Sequence, residues 1–132
     1  MAKLFFIAAS FFGMSAVILG AFGAHALKNR LTETLLHSYE TAVQYQFMHA
    51  LALLATTAIY QQYAQQLLST RLLTSASCFF IAGIILFSGS LYLLSLTTLR
   101  TLGFINIGIV TPIGGLCFII GWALLLVTAL QQ

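Results

Sequence analysis

Four long apolar runs with no charged residue in their interiors are the feature of this sequence that most restricts its fold. They cover residues 4–24, 41–60, 74–96 and 112–130. A helix needs roughly 20 apolar residues to cross a hydrocarbon core of about 30 Å, and each run is about that long. The sequence therefore predicts an all-α integral membrane protein, a single domain of residues 1–132 that folds as a compact bundle of four transmembrane helices.

Composition supports this class and excludes others. The chain is 61% hydrophobic and 5% charged, and a soluble domain of this size would expose large apolar patches with such a composition. Its five basic residues are scattered over both ends of the predicted spans, so they form no patch for nucleic acid. The predicted partners are membrane lipids and either a second copy of the chain or another membrane protein.

The connections between the runs carry two helix signals. Leu27, Leu31, Leu35 and Tyr39 recur at helical spacing, which predicts an amphipathic segment between helices 1 and 2 that either lies at the interface or extends the second span. Thr32 is suited to cap its start. In the third connection, residues 97–111, the Thr111-Pro112 pair predicts that the last span begins at Pro112 with Thr111 as its cap.

Basic residues give a prediction of orientation. With the side of the N-terminus called side one, Lys3 and Arg71 lie on side one, while Lys28, Arg30 and Arg100 lie on side two. Cytoplasmic loops carry the excess of Lys and Arg. Side two is therefore predicted to face the cytoplasm, which places both termini on the opposite side of the membrane.

Small residues recur every seven positions in each run, and small residues allow membrane helices to pack closely. This spacing predicts left-handed packing at a shallow crossing angle. In the second run the line passes through His49, which should therefore lie between helices. The candidate packing residues are Gly13, Gly20, Gly83, Ser90, Gly114 and Gly121.

Polar residues should gather at the side-two end of the bundle. At about 1.5 Å per residue, His49 lies roughly 12 Å below side two. The candidate binding cluster is His25, Glu40, Gln44, Tyr45, Gln46, His49, Ser88 and Tyr92. Two interpretations of His49 remain open: a neutral side chain that fixes helix register by hydrogen bonding, or a group that handles protons, ions or a ligand.

Neither a catalytic set nor a metal site is predicted. The Ser and Thr residues lack a base and an acid partner at a fixed spacing. Glu33, His37 and Glu40 can share one helical face, but the Glu-x-x-His pairs from several helices that build di-metal bundles are missing. The chain is therefore predicted not to be an enzyme and to need no cofactor.

Four motifs carry a resemblance to a known family: GAFGAHALK, YETAVQYQFMHALALL, SGSLYLLSL and TPIGGLCFIIGWALLL. The chain resembles the YgdD/YwdK-type family of small bacterial inner-membrane proteins of unknown function, which is similar to a eukaryotic mitochondrial transmembrane protein. The resemblance implies four spans in the inner membrane and no established reaction. The positions that carry over by motif are Gly20, Gly23, His25, Tyr45, Gln46, His49, Tyr92, Pro112, Gly114, Gly115, Gly121 and Trp122.

Two functions from different classes follow. The first is a non-enzymatic inner-membrane protein that binds lipid or a partner protein and supports membrane organisation. The alternative is a small transporter or channel for ions, protons or a solute, with the polar cluster around His49 as its path.

Overall fold

A computed structural model describes residues 1–97, 101–102 and 105–131, so the predicted side-two charge Arg100 lies outside the described residues. Its helices are α1 (Ala2–Phe22), α2 (Glu33–Gln62), α3 (Leu67–Gly83), α4 (Gly89–Leu96) and α5 (Ile107–Leu130). Helix α1 continues into a first π-helical turn, and a second π-helical turn, Ile84–Ser88, joins α3 directly to α4. The chain therefore forms four helical rods, which confirms the predicted all-α bundle.

A short antiparallel pair of strands precedes the last helix. Strand β1 is Thr101–Leu102 and strand β2 is Ile105–Asn106, with Thr101 opposite Asn106. Each strand has two residues, too few to form a sheet of independent stability. Strand β2 leads directly into α5.

Three of the four rods are long and apolar enough to cross a membrane: Ala2–Leu27, Leu67–Leu96 and Ile107–Leu130. The fourth, α2, has 30 residues and extends about 45 Å at 1.5 Å per residue, so it is long enough but more polar. It is also the central helix, because it packs against α1, α3 and α4. Neighbouring helices bury some of its polar side chains, among them Gln46, His49 and Thr56.

Helix packing leaves one side of the bundle open. Helix α1 packs chiefly on α2, and α5 packs chiefly on α3 and the second π-helical turn. Within the described part of the chain, α2 and α5 make no extensive contact with each other. Ala52, Phe80, Ile84 and Phe118 form the buried apolar core that lies between them.

Only the second half of the predicted amphipathic segment extends α2: Leu35 and Tyr39 belong to that helix, whereas Leu27 ends the π-helical turn after α1 and Leu31 lies in the connection. Helix α2 starts at Glu33, directly after Thr32. The hydroxyl of Thr32 accepts the Leu35 N–H at 3.4 Å, which confirms the predicted cap. Tyr39 is fully buried in the bundle, whereas Leu35 is 36% exposed.

The predicted start of the last helix at Pro112 was wrong. Helix α5 begins at Ile107, and the side chain of Asn106 caps it by accepting the Gly108 N–H at 3.0 Å. Thr111 does not act as the cap, because its hydroxyl pairs with the Ser90 hydroxyl at 2.6 Å. Pro112 lies inside the helix, where it leaves one backbone carbonyl without its helical donor.

Four of the predicted packing glycines lie against a neighbouring helix. A Cβ atom added to Gly83 or Gly114 would collide with Phe118 or with the backbone of Phe87. One added to Gly121 would lie 2.7 Å from the Phe80 ring, and one added to Gly20 would lie 3.2 Å from Val43. These close approaches are of the kind that small residues permit in membranes.

Gly13 does not mark a close helix contact, contrary to the prediction. A Cβ atom added there would have no atom within 4 Å. The contact line of α1 instead passes through Phe5, Ala9 and Ala16, which are buried, and ends at the buried Gly23. The Gly13–Gly20 line lies one turn further along the same side of α1, at the edge of this contact: Gly20 still reaches Val43, whereas Gly13 has open space beside it.

Candidate functional site

Gln46 connects three helices through its side chain. Its amide nitrogen donates to the Phe12 carbonyl at 3.0 Å and to the Ser15 hydroxyl at 2.8 Å, both on α1. Its amide oxygen accepts the Tyr92 hydroxyl of α4 at 2.9 Å. Gln46 is 4% exposed, and burial of an amide is tolerated when its polar atoms are paired. Both ends of this side chain have partners.

Tyr39 extends this polar group towards side two. Its hydroxyl donates to the Leu19 carbonyl at 2.7 Å, and its ring packs on Tyr92 at a centroid distance of 5.3 Å. Gly23 makes room for the ring, because a Cβ atom added there would lie 2.6 Å from it. Tyr39 was not predicted to belong to the cluster, although it precedes Gln46 by two helical turns on the same face.

His49 lies on the other flank of α2, against α5. Its Nδ1 is 2.8 Å from the Tyr45 carbonyl, which only accepts, so this nitrogen carries a hydrogen. Its Nε2 accepts the indole N–H of Trp122 at 3.3 Å. The neutral tautomer with its hydrogen on Nδ1 therefore pairs both ring nitrogens. A second hydrogen, on Nε2, would point at the Trp122 N–H, which is itself a donor.

Aromatic rings enclose His49. Its ring stacks on Phe118 with a centroid distance of 3.5 Å and an angle of 11°. The rings of Phe80 and Trp122 lie at 5.7 and 6.3 Å. His49 is 4% exposed. It is therefore held by stacking as well as by hydrogen bonds.

A groove of about 840 Å³ runs between α2 and α5, beside His49. We call it the α2–α5 groove, and it is lined by Tyr45, Met48, His49, Phe87, Pro112, Gly115, Leu116, Phe118, Ile119 and Trp122. Only Tyr45, His49 and Trp122 bring polar side-chain atoms to it. Since α2 and α5 do not close against each other, the groove opens to the outside of the bundle.

The structure divides the predicted polar cluster. Gln46 and Tyr92 are joined by a hydrogen bond, and Tyr45 and His49 line the α2–α5 groove together. Ser88 is 1% exposed, and its hydroxyl has no hydrogen-bond partner among the described residues. The cluster thus separates into three parts. Gln46 and Tyr92 are bonded to each other, Tyr45 and His49 face α5, and Ser88 is isolated.

Three predicted members lie outside these groups. His25, Glu40 and Gln44 are exposed, and no hydrogen bond or ion pair joins them within the described residues. The buried stripe of α2 passes through Tyr39 and Gln46 and turns Glu40 and Gln44 outward. His25 lies in the π-helical turn after α1, of which Gly23 and Leu27 are the buried residues. Among the described residues, no three His, Cys, Asp or Glu side chains come together closely enough to hold a metal ion.

The aromatic side of the site was missed. Phe87, Phe118 and Trp122 surround His49 and line the groove, but in the sequence they are ordinary members of apolar runs. Trp122 was identified only as a position of the family motif. A possible signal was that a lone tryptophan lies near the middle of an apolar run, away from the interfaces where tryptophan is enriched.

Comparison with known proteins identifies the family. Residues 19–115 match the family described as "Protein of unknown function (DUF423)". The chain is 40% identical over 129 residues to the UPF0382 membrane protein YwdK of Bacillus subtilis, covering 98% of both chains. It is 38% identical to the UPF0382 inner membrane protein YgdD of Escherichia coli K12, covering 98% of this chain and 91% of YgdD.

A Staphylococcus saprophyticus membrane protein, SSP2132, is 43% identical over 95% of both chains. No solved structure was found to match. The chain belongs to the DUF423 family, which confirms the family expected from the motifs and its place in the bacterial inner membrane. The orientation in that membrane and the similarity to a eukaryotic mitochondrial protein stay predictions.

Proposed function

We propose that this member of the DUF423 family is a non-enzymatic inner-membrane protein that binds the hydrocarbon chain of a membrane lipid in the α2–α5 groove. The observation that supports this most directly is the apolar lining of a groove that opens to the outside of the bundle. Hydrocarbon chains are the bilayer component that matches such a lining. Binding there would place a lipid against the aromatic group around His49.

A lipid chain fits the walls of the groove better than a helix does. Partner helices pack closely where small residues allow their backbones to approach. The walls here carry the long side chains of Met48, Leu116 and Ile119, all exposed. Such side chains adjust to a flexible chain, whereas they would hold the axis of another helix away.

The position of the groove matches one leaflet. On α5 it extends from Pro112 to Trp122, about 15 Å at 1.5 Å per residue, which is half of a core of about 30 Å. Pro112 lies near side two, so a chain would enter from the side-two leaflet. Tyr45 lines the groove, is 37% exposed and has no hydrogen-bond partner for its hydroxyl among the described residues. That hydroxyl is available to a lipid ester carbonyl.

Transport through His49 receives less support. Both of its ring nitrogens have partners in one neutral tautomer, and the groove beside it is apolar. A path for protons or ions needs polar groups that exchange partners along its length. These contacts favour the interpretation of His49 as a residue that fixes the position of α2 against α5.

Native mass spectrometry in a mild detergent tests the proposal, with Gly115→Leu as the groove-filling variant. A Cβ atom at Gly115 would lie 3.8 Å from the Phe87 ring, an ordinary contact, so the added side chain enters the groove without displacing the backbone. Gly13→Leu is the matched control, because Gly13 is on α1 with open space beside it.

The expected result is a severalfold loss of retained phospholipid in Gly115→Leu alone, with unchanged melting temperatures of both variants in detergent. Equal lipid retention by the wild type and both variants would overturn the proposal. A change in the number of copies per particle in Gly115→Leu, with lipid retention unchanged, would identify the occupant as a second copy and would also overturn it.

A further inference from the structure

A second apolar depression continues the α2–α5 groove towards side one. It has a volume of about 370 Å³ and lies between the end of α5, Ile59 of α2 and Leu73 of α3. Trp122 belongs to the linings of both depressions. The two depressions therefore follow one another along α5, with a single tryptophan between them.

Contacts on both sides hold the Trp122 ring in this position. Its indole N–H donates to His49 at 3.3 Å, and its ring meets the edge of Phe80 at a centroid distance of 5.5 Å. Nevertheless, Trp122 is 52% exposed, so the ring stands out from the bundle and forms a partition instead of filling the core.

The lengths of the two depressions correspond to the two leaflets. The first extends about 15 Å along α5, and the second, from Trp122 to Ala129, extends about 10 Å at 1.5 Å per residue. Together they cover most of a hydrocarbon core of about 30 Å. With α5 spanning such a core, Trp122 would lie near its middle, where the ends of lipid chains from opposite leaflets meet.

The chemistry of the second depression also matches hydrocarbon. Its one hydroxyl, on Thr128, donates its proton to the Leu124 carbonyl at 2.9 Å, and Thr128 is 3% exposed. Apolar cavities without polar partners do not hold ordered water. Leu125 and Leu126 supply branched side chains to its wall, which disfavour close approach of a helix.

We infer that the second depression binds the hydrocarbon chain of a lipid from the side-one leaflet, so that the protein holds one chain from each leaflet on either side of Trp122. This inference rests on the proposed function, because it assigns a second site of the same kind. His49 acts here as a positioning residue, since it holds the partition and does not contact the second chain.

Quenching of tryptophan fluorescence by brominated lipid tests the inference, because Trp122 is the only tryptophan of the chain. The full chain is placed in phosphatidylcholine vesicles that contain phosphatidylcholine brominated near the chain ends. Ala129→Leu fills the second depression, and Gly115→Leu fills the first. Ala123→Leu is the matched control, because Ala123 is an exposed residue of α5 outside both linings.

Relative to Ala123→Leu, Ala129→Leu and Gly115→Leu should each lose part of the quenching, and the double variant should lose more than either. With brominated lipid exchanged into one leaflet, and the orientation read by protease cleavage of an N-terminal tag, Ala129→Leu should relieve quenching only from the side-one leaflet.

The outcomes separate the two proposals. Relief by Gly115→Leu but not by Ala129→Leu would overturn the second site and leave the first one standing. Relief by Ala129→Leu alone would overturn the first site and support the second. Quenching equal to that of Ala123→Leu in both variants would overturn both sites. Relief by Ala129→Leu from the wrong leaflet would also overturn the inference.

Discussion

Replacement of Gln46 by leucine tests whether the hydrogen bonds of this side chain stabilise the bundle beyond what apolar packing provides. The side chain makes three hydrogen bonds that connect α2 to α1 and α4. Side-chain hydrogen bonds in membrane proteins contribute about 0.6 kcal/mol each on average, so loss of the two bonds to α1 removes about 1 kcal/mol. The Tyr92 hydroxyl also loses its acceptor inside the bundle, and a stranded buried polar group costs about 1–3 kcal/mol.

The free energy of unfolding should therefore fall by about 2–4 kcal/mol in Gln46→Leu, measured by equilibrium unfolding in mixed micelles. Gln44→Leu is the matched control: it makes the same change two residues away, at an exposed position, and should change stability by less than about 0.5 kcal/mol. Tyr92→Phe removes the stranded hydroxyl, so the double variant with Gln46→Leu should lose less than the sum of the single variants.

Two results would refute this reasoning. Equal stability of Gln46→Leu and Gln44→Leu would show that the buried hydrogen bonds contribute nothing measurable. Strict additivity of Gln46→Leu and Tyr92→Phe would show that the two side chains are not coupled across α2 and α4.

Two further comparisons test the helix contacts by the same unfolding measurement. Gly114→Ala should lower the free energy of unfolding by about 1–3 kcal/mol, because the added methyl group meets the backbone of Phe87. Gly115→Ala is the control, because there is room for a methyl group at Gly115, and it should leave stability unchanged. Equal effects of the two variants would contradict the placement of α5. His49→Ala leaves the Trp122 N–H without its acceptor and removes a stacked ring, which should cost about 1–3 kcal/mol of stability. His37 is exposed, so His37→Ala should change stability by at most about 0.5 kcal/mol. A neutral His49→Ala would be incompatible with the positioning role.

The helices and their class were predictable because apolar length and charge exclusion act on each segment separately. Four rods, the Thr32 cap and the unbroken extension of α2 all follow from local sequence. The start of α5 was mispredicted because two adjacent signals competed. The Thr111-Pro112 pair resembles a helix start. The helix begins earlier because the Asn106 side chain caps it, and the Thr111 hydroxyl is hydrogen-bonded to the Ser90 hydroxyl instead.

The site was only partly predictable, because periodicity gives a helix face but not its neighbour. The position of His49 between helices followed from the seven-residue line through α2 and agrees with its burial. The same rule placed Gly13 at a contact that does not exist. Which rings would meet His49 depends on the rotation of α5 and α3, and the apolar runs carry no signal for that rotation.

Gln46 and His49 of α2 are tolerated in the membrane because each has hydrogen-bond partners inside the bundle, on two adjoining flanks of one central helix. Tyr39 and Gln46 bind backbone and side-chain partners on α1 and α4, so that flank is closed by several hydrogen bonds. On the other flank, His49 has a single long bond to Trp122, and stacking on Phe118 supplies the rest. A flank held by rings and one hydrogen bond does not need the two backbones to meet. That arrangement leaves the α2–α5 groove open beside α2, which would let lipid reach the side of the helix that is least tied to its neighbours.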